Sequence, residues 1–241
     1  MGTDHSGTGI LYHSAQNQKE EKEALTFTNI ALEAITGSRA YGLTHANSDT
    51  DKMGIFVAPT VDIAGLDWNS SKESWSDAGP TGDDTTYHEI GKYVKLALKS
   101  NPTLIELLFM DSYESLSLEG KALLDIRSSF LYTEGIRNAY YGYAVAQHAR
   151  VIREYPDHKP KMARHCLRIS HQAIELLETG TCSPRLSNPE VYFDLDYMTL
   201  PDMDRTMSYA LEKILTCESV LADKPDRDTV RDYLRDVRLN N

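Results

Sequence analysis

The chain has 241 residues, of which 41% are hydrophobic and 25% are charged, and its formal net charge is −11. This length is sufficient for one large domain, or for two small domains, with a buried core. The excess of acidic residues argues against general binding of double-stranded DNA, because that binding depends on neutralising phosphates. No apolar run approaches the roughly 20 residues needed to span a bilayer, so we expect no membrane association.

The N-terminal segment 1–22 is polar and contains the charged run KEEKE. We predict a separate arm here, and it lacks the basic and apolar regions of a secretory signal. The three cysteines do not have metal-ligand spacing, and Cys166 and Cys217 lie among apolar neighbours in helical patterns. These features favour reduced thiols in the core and together predict a cytoplasmic protein.

Three short strands are predicted in the first half of the chain. The first ends at Gly37, and the second runs from Asp51 to Pro59 with alternating and then continuous apolar residues. A third, β-prone piece begins at Asp84. The segment 67–83 is rich in Ser, Gly and Asp, so we predict a surface loop before this third strand.

Helical patterns follow these strands. In the segment 88–100 the apolar residues fall on one helical face, and Asn101 with Pro102 has the sequence of a helix start. Beyond residue 112 we predict only helices, over residues 117–129, 133–155, 158–179, 201–222 and 226–238. The order predicts an α+β fold: a small mixed β-sheet core with flanking helices over residues 23–112, followed by a helical-bundle domain over residues 113–241.

Two carboxylates lie at the start of the second predicted strand. Asp49 and Asp51 are two residues apart, so on a strand their side chains point to the same face. Adjacent carboxylates repel each other unless a cation lies between them, and Mg²⁺ (or Mn²⁺) satisfies both while leaving positions for water and phosphate oxygens. Such a pair is common in solvated loops and turn caps, so on its own it is weak evidence.

The preceding turn makes the pattern more specific. Gly37 and Ser38 precede the carboxylates by about ten residues, and backbone N–H groups in such a turn, together with the hydroxyl, can hold a triphosphate. A Gly-Ser turn, then two spaced aspartates, then an apolar strand favours a metal and nucleotide site over two solvated carboxylates.

These segments resemble a known family. GSRAYGL followed by SDTDKMGIFV is similar to the signature of DNA polymerase β-type nucleotidyltransferases, in particular the RNA repair-associated RlaP-like family. The likeness continues through residues 89–108 and returns in residues 161–168 and 175–180. It covers roughly residues 35–190, and the combination of blocks is far more specific than any one of them.

The resemblance implies a set of metal ligands. It assigns Asp49 and Asp51 to the catalytic metals and adds a third catalytic carboxylate, Asp84, on the strand before the Asn-Pro helix. Asp83 is the alternative, because a slip of one residue changes which side chain faces the site. The chain departs from the family pattern at Lys52-Met53-Gly54, where the family often has an Arg before the glycine.

The resemblance also implies nucleotide contacts. Gly37 and Ser38 correspond to the phosphate-binding turn, and Arg39 lies beside it. A second group of candidates lies in the predicted helix 158–179, where basic residues recur on one helical face: Lys161, His165 and Arg168, with Gln172 following. Composition alone favours a solvated helix face, whereas the resemblance favours binding of phosphate oxygens.

The function implied is transfer of a nucleoside monophosphate from an NTP, with ATP the first candidate, to an acceptor hydroxyl with release of pyrophosphate. An RNA end, a protein hydroxyl and a small molecule all fit as acceptors. We expect the nucleotide to lie in a cleft between the two predicted domains. The alternative is a catalytically silent nucleotide-binding module that acts through a protein partner. The presence of all three carboxylates favours the enzyme.

Overall fold

The computed structural model describes residues 29–45, 48–78, 84–154 and 160–241. The predicted arm over residues 1–22 lies outside the described residues. Five strands form one sheet in the order β3-β4-β2-β1-β5: β1 (Ile30–Ile35), β2 (Lys52–Phe56), β3 (Ser74–Ala78), β4 (Asp84–Glu89) and β5 (Ser115–Leu116). Strands β2 and β4 are parallel and the other pairs are antiparallel, so the sheet is mixed, as predicted.

The α-helices that the structure describes surround this sheet and then form a bundle. They are α1 (Gly37–Tyr41), α2 (Thr60–Ile63), α3 (Ile90–Ala97), α4 (Pro102–Leu107), α5 (Leu118–Asp125), α6 (Thr133–Glu154), α7 (Lys161–Thr179), α8 (Glu190–Phe193), α9 (Leu200–Thr216) and α10 (Arg227–Leu239). This arrangement confirms the predicted α+β fold. Of the described helices, none is long and apolar enough to cross a membrane.

The start of α4 illustrates how the sequence determines these boundaries. The side chain of Asn101 accepts a hydrogen bond from the backbone N–H of Thr103 at 3.1 Å, and Pro102 occupies the first helical position. Proline fits there because its missing N–H has no partner in the first turn of a helix. The helix start predicted from Asn101 and Pro102 is therefore confirmed.

The predicted surface loop over residues 67–83 is wrong in its middle part. Residues Ser70–Glu73 form a 3-10 helix, and Ser74–Ala78 form β3 at the edge of the sheet. The ring of Trp75 packs on the ring of Tyr87 at 5.7 Å between centroids, which gives this polar strand an apolar contact with β4. The strand has one large apolar residue, Trp75, among Ser and Asp, so it shows no alternating apolar pattern and was not predicted.

Strand β2 separates two apolar clusters because its side chains alternate between the faces of the sheet. Ile55 and Val57 belong to the main core, which continues through the helices, whereas Phe56 and Tyr87 belong to a small cluster on the other face. All three cysteines are free and buried, in agreement with the expected core thiols.

The last helix returns to the sheet half of the molecule. Arg238 in α10 forms an ion pair with Glu89 at the end of β4, with 2.6 Å between Nη2 and Oε1. The hydroxyl of Thr60 donates a hydrogen bond to the carbonyl oxygen of Arg238 at 2.7 Å. The main apolar core also contains residues of both the sheet and the helices. The division into two domains near residue 112 stays a prediction.

Candidate active site

The Gly-Ser turn lies directly against one of the predicted metal ligands. Gly37 begins α1 with a φ of 67°, in the left-handed region that favours glycine. The backbone N–H of Thr36 donates to the carbonyl oxygen of Asp51 at 2.8 Å, which joins the end of β1 to the start of β2. A Cβ atom at position 37 would overlap the Asp51 carboxylate. Glycine is therefore required here both by the backbone and by the contact with Asp51.

Asp84 lies next to Asp51 in the sheet. The register of the parallel strands pairs Lys52 with Thr85, so Asp51 and Asp84 occupy the preceding positions of neighbouring strands. Because side chains alternate along a strand, these two residues share the face of Met53. The Asp51 carboxylate also accepts a hydrogen bond from the backbone N–H of Asp84. The alternative ligand, Asp83, lies outside the described residues.

The charges around Asp51 change its acidity. Burial raises its pKa above the ordinary value, and the negative charges of Asp84 and Asp49 act in the same direction. The N–H of Asp84 and the positive charge of Lys161 oppose that shift. In this structure the charges of two predicted ligands, Asp49 and Asp84, thus act on the third, Asp51. Asp49 and Asp84 are exposed, and Asp51 is half-buried.

This donor set suits a divalent cation. Carboxylate oxygens are the ligands that Mg²⁺ prefers, and a cation removes the repulsion that raises the pKa of Asp51. Within the described parts of the chain, however, no three Asp, Glu, His or Cys side chains already form a group that could hold a metal. A metal bound here would therefore require the carboxylates to move closer together.

Arg39 has contacts that the sequence did not predict. Its Nε donates to the carbonyl oxygen of Asp49 at 3.2 Å, and its Nη2 donates to the carbonyl oxygen of Ser48 at 2.8 Å. The guanidinium group thus connects α1 to the backbone of the loop that carries Asp49. Its predicted location beside the phosphates stays a prediction, but in this structure Arg39 holds a carboxylate-bearing loop.

The first two residues of the predicted basic face differ in their surroundings. Lys161 is exposed at the start of α7, and its charge acts on Asp51. His165 lies one turn further along, with its Nε2 at 3.3 Å from the hydroxyl of Tyr143. Burial and the positive charges of Arg168 and Lys161 lower the pKa of His165 to about 4, so its ring is neutral at pH 7.

The next two residues of that face are buried. Arg168 forms an ion pair with Glu106, and Gln172 donates from Nε2 to Oε2 of Glu106 at 3.1 Å. Tyr41 completes this group, because its hydroxyl donates to Oε1 of Glu106 at 2.7 Å. We call these four residues the Glu106 cluster. The structure therefore divides the predicted stripe in two. Lys161 is exposed and His165 is half-buried, whereas Arg168 and Gln172 are buried and contact α1 and α4.

The motifs discussed above assign no separate role to Glu106 or Tyr41. A signal was present for Glu106, because it is the one charged residue in the apolar run LIELLF. A carboxylate on an apolar helix is seldom buried without a partner, so its position indicated a buried cation nearby. No pattern along the chain identified that cation as Arg168, 62 residues away.

Residues 12–193 match the family described as RlaP, RNA repair pathway DNA polymerase beta family. No curated protein matches. One similar solved structure is a nucleotidyltransferase-like protein from Exiguobacterium sibiricum 255-15; the two are 11% identical, the comparison covers 95% of this chain and 80% of that chain, and the TM-score is 0.30. A likeness this low carries no functional argument. The family match extends over most of the chain and confirms the resemblance of its motifs: the protein belongs to the RlaP family of DNA polymerase β-type nucleotidyltransferases.

Proposed function

We propose that this protein transfers a nucleoside monophosphate from an NTP, with ATP as the first candidate, to an acceptor hydroxyl and releases pyrophosphate. Membership of the family supports nucleotidyl transfer as the general activity. The observation that carries the specific proposal is the contact between the Gly37 turn and the Asp51 carboxylate. A glycine turn beside a group of carboxylates supports a phosphate-binding element and a metal-binding element side by side.

In this proposal Asp49, Asp51 and Asp84 hold two Mg²⁺ (or Mn²⁺) ions. When bound, such ions lower the pKa of the attacking hydroxyl and neutralise charge on the leaving pyrophosphate. Asp84 is exposed, so it also has access to an incoming acceptor and is our candidate for the general base. Asp51 is half-buried against Gly37 and has less freedom, which suits a fixed ligand.

The triphosphate is proposed to lie between α1 and the start of α7. Gly37 and Ser38 donate backbone N–H groups and a hydroxyl to it, and Lys161 supplies a positive charge from the other side. His165 is neutral at pH 7 and can donate or accept a single hydrogen bond there. A direct contact between Arg168 and the nucleotide, which the sequence predicted, would require this buried guanidinium to leave Glu106.

An RNA end is the acceptor that we propose, because the family is described as part of an RNA repair pathway. The net charge of −11 is compatible with such an acceptor if contacts are confined to a terminus and its metal-bound hydroxyl. A reaction between an NTP and an RNA end also suits a cytoplasmic protein, which is the location that we propose. A protein hydroxyl or a small molecule remains the alternative acceptor in the test below.

The test is transfer of radioactive label from each of the four α-labelled NTPs in the presence of Mg²⁺. Total RNA, an RNA-free lysate and buffer are supplied separately as acceptors. We expect label on RNA with the wild type, and neither Asp51→Asn nor a reaction with EDTA should transfer it. Asp62→Asn, which changes an exposed carboxylate in α2, is the matched control and should behave as the wild type.

The position of the label distinguishes the candidates. Label on protein or on a small molecule would replace the RNA end as acceptor and leave nucleotidyl transfer intact. Binding of an NTP without transfer to any acceptor would contradict the enzymatic proposal. That result would support the alternative, a silent nucleotide-binding module that acts through a protein partner.

A further inference from the structure

A buried cluster of polar side chains connects three helices behind the candidate active site. Glu106 in α4 is 1% exposed and accepts from Tyr41 in α1 at 2.7 Å. Its other oxygen forms an ion pair with Arg168 and accepts from Gln172 at 3.1 Å, and both of these residues are in α7. The Glu106 cluster thus fixes α1 and α7 to the same carboxylate.

Helix α1 depends on this cluster for its position. It has five residues, none of them fully buried, and Ala40 packs against the main core only in part, so hydrophobic packing contributes little to its position. The guanidinium carbon of Arg168 lies 3.7 Å from the centroid of the Tyr41 ring. The backbone carbonyl of Tyr41 also accepts from the N–H of Leu186 at 3.1 Å. The contacts that restrain the C-terminal end of α1 therefore converge on Tyr41.

The opposite end of α1 carries the Gly-Ser turn. Gly37 lies against Asp51, and Asp51 experiences the charge of Lys161 on α7. Helix α7 is therefore linked to the site in two ways. The charge of Lys161 acts on Asp51, and Arg168 binds Glu106, which in turn binds Tyr41. Because Lys161 and Arg168 belong to the same helix, we expect a movement of Arg168 relative to Tyr41 to change the placement of the turn relative to Lys161.

We infer that Glu106 and Arg168 are positioning residues that hold the Gly37–Ser38 turn at a fixed distance from Lys161, and that Arg168 does not contact the nucleotide. This inference rests on the proposed function. Stability alone is a weak reason for such a cluster, because well-packed apolar residues often replace a buried ion pair without loss. Precise placement of reacting groups is a stronger reason, since a shift of about 1 Å can change a rate by about 10²-fold.

The first test compares the kinetics of Tyr41→Phe and Glu106→Gln with those of the wild type. Tyr41→Phe removes one hydrogen bond but keeps the ring under Arg168, and we expect kcat to fall about tenfold with KM for the NTP nearly unchanged. For Glu106→Gln we expect a larger fall, approaching about 10²-fold. The matched control is Glu89→Gln, which changes a carboxylate that is 3% exposed and paired with Arg238 away from α1. It should keep the wild-type kcat.

A direct role for Arg168 predicts a different result. Glu106→Gln would then release the guanidinium from its partner, and NTP binding would become tighter. That outcome, or a wild-type kcat in folded Tyr41→Phe, would overturn the inference. If Glu106→Gln does not fold, the double variant Glu106→Leu with Arg168→Met removes both charges. We expect it to fold and to lose kcat with KM for the NTP nearly unchanged, whereas a direct contact of Arg168 with the nucleotide predicts a raised KM and would overturn the inference.

A second measurement does not depend on activity. Hydrogen exchange of residues 37–43 should become faster in Tyr41→Phe and in Glu106→Gln but not in Glu89→Gln. Unchanged exchange in the first two variants would overturn the inference even if the wild type is active. If the wild type transfers no nucleotide to any acceptor, the proposed function fails, and the exchange data still decide whether Glu106 holds the turn.

Discussion

Replacement of Gly37 by alanine tests the contact on which the proposed site depends. The residue has a φ of 67°, and a Cβ atom would overlap the Asp51 carboxylate. Two separate costs are therefore expected. The backbone strain lowers the free energy of unfolding, and the steric overlap displaces a metal ligand.

The size of the first cost follows from the left-handed conformation. A residue with a Cβ atom loses about 1–2 kcal/mol there, which for a protein of this length lowers Tm by about 2–8 °C. The second cost concerns activity. If Asp51 must move by about 1 Å to avoid the new methyl group, we expect transfer to fall by about 10²-fold. The affinity for Mn²⁺ measured without nucleotide should fall as well.

Gly42→Ala is the matched control, because it carries the strain without the overlap. Its φ is 77°, and the nearest atom to a Cβ there is Nη1 of Arg185 at 4.0 Å. We expect a similar loss of Tm in both variants, measured by thermal unfolding, but a loss of transfer and Mn²⁺ affinity in Gly37→Ala alone. Wild-type transfer by Gly37→Ala, or an equal loss in Gly42→Ala, would refute the reasoning.

Three further predictions concern neighbouring residues. Asp51→Asn should abolish transfer while Tm stays equal or rises, because the substitution removes repulsion between carboxylates; a wild-type turnover number would contradict the metal site. Arg39→Met should weaken Mn²⁺ binding in the absence of nucleotide, since Arg39 holds the backbone of Ser48 and Asp49; an effect on NTP binding alone would instead indicate a phosphate contact. His165 has a folded pKa of about 4, below its ordinary value of about 6.5, so its contribution to stability is present above pH 6.5 and is lost as the pH falls towards 4. Urea unfolding between pH 7 and 4.5 should therefore show a loss of up to about 3 kcal/mol that is absent in His165→Gln.

Local patterns predicted the parts of the site that depend on local geometry. A glycine at the end of an apolar strand and two aspartates before the next strand determine which groups lie at the edge of the sheet. The position of Asp84 depended on a resemblance, and the strand register then placed it beside Asp51. Strand β3 was missed because an edge strand needs only a little apolar surface, which Trp75 supplies.

The basic helix face shows the limit of periodicity. Spacing places Lys161, His165 and Arg168 on a common side of α7. It does not show which of these residues other parts of the chain cover. Tyr41 and Glu106 cover the helix at Arg168, whereas the charge of Lys161 acts on Asp51. Burial of the second half depends on residues distant in sequence, so no window along the helix contains this information.

The distribution of charge then determines how a nucleotide can bind. Lys161 is a cation whose charge acts on Asp51, while Arg168 is neutralised by Glu106 and Arg39 is engaged with backbone carbonyls. A triphosphate placed beside the Gly-Ser turn would therefore meet a net negative charge. Divalent cations reverse this, since each one cancels two charges where the carboxylates and phosphates meet. Metal and nucleotide are thus expected to bind as one unit, and NTP affinity should be far lower in EDTA than in Mg²⁺. Equal affinity in the two conditions would mean that the phosphates bind away from the aspartates.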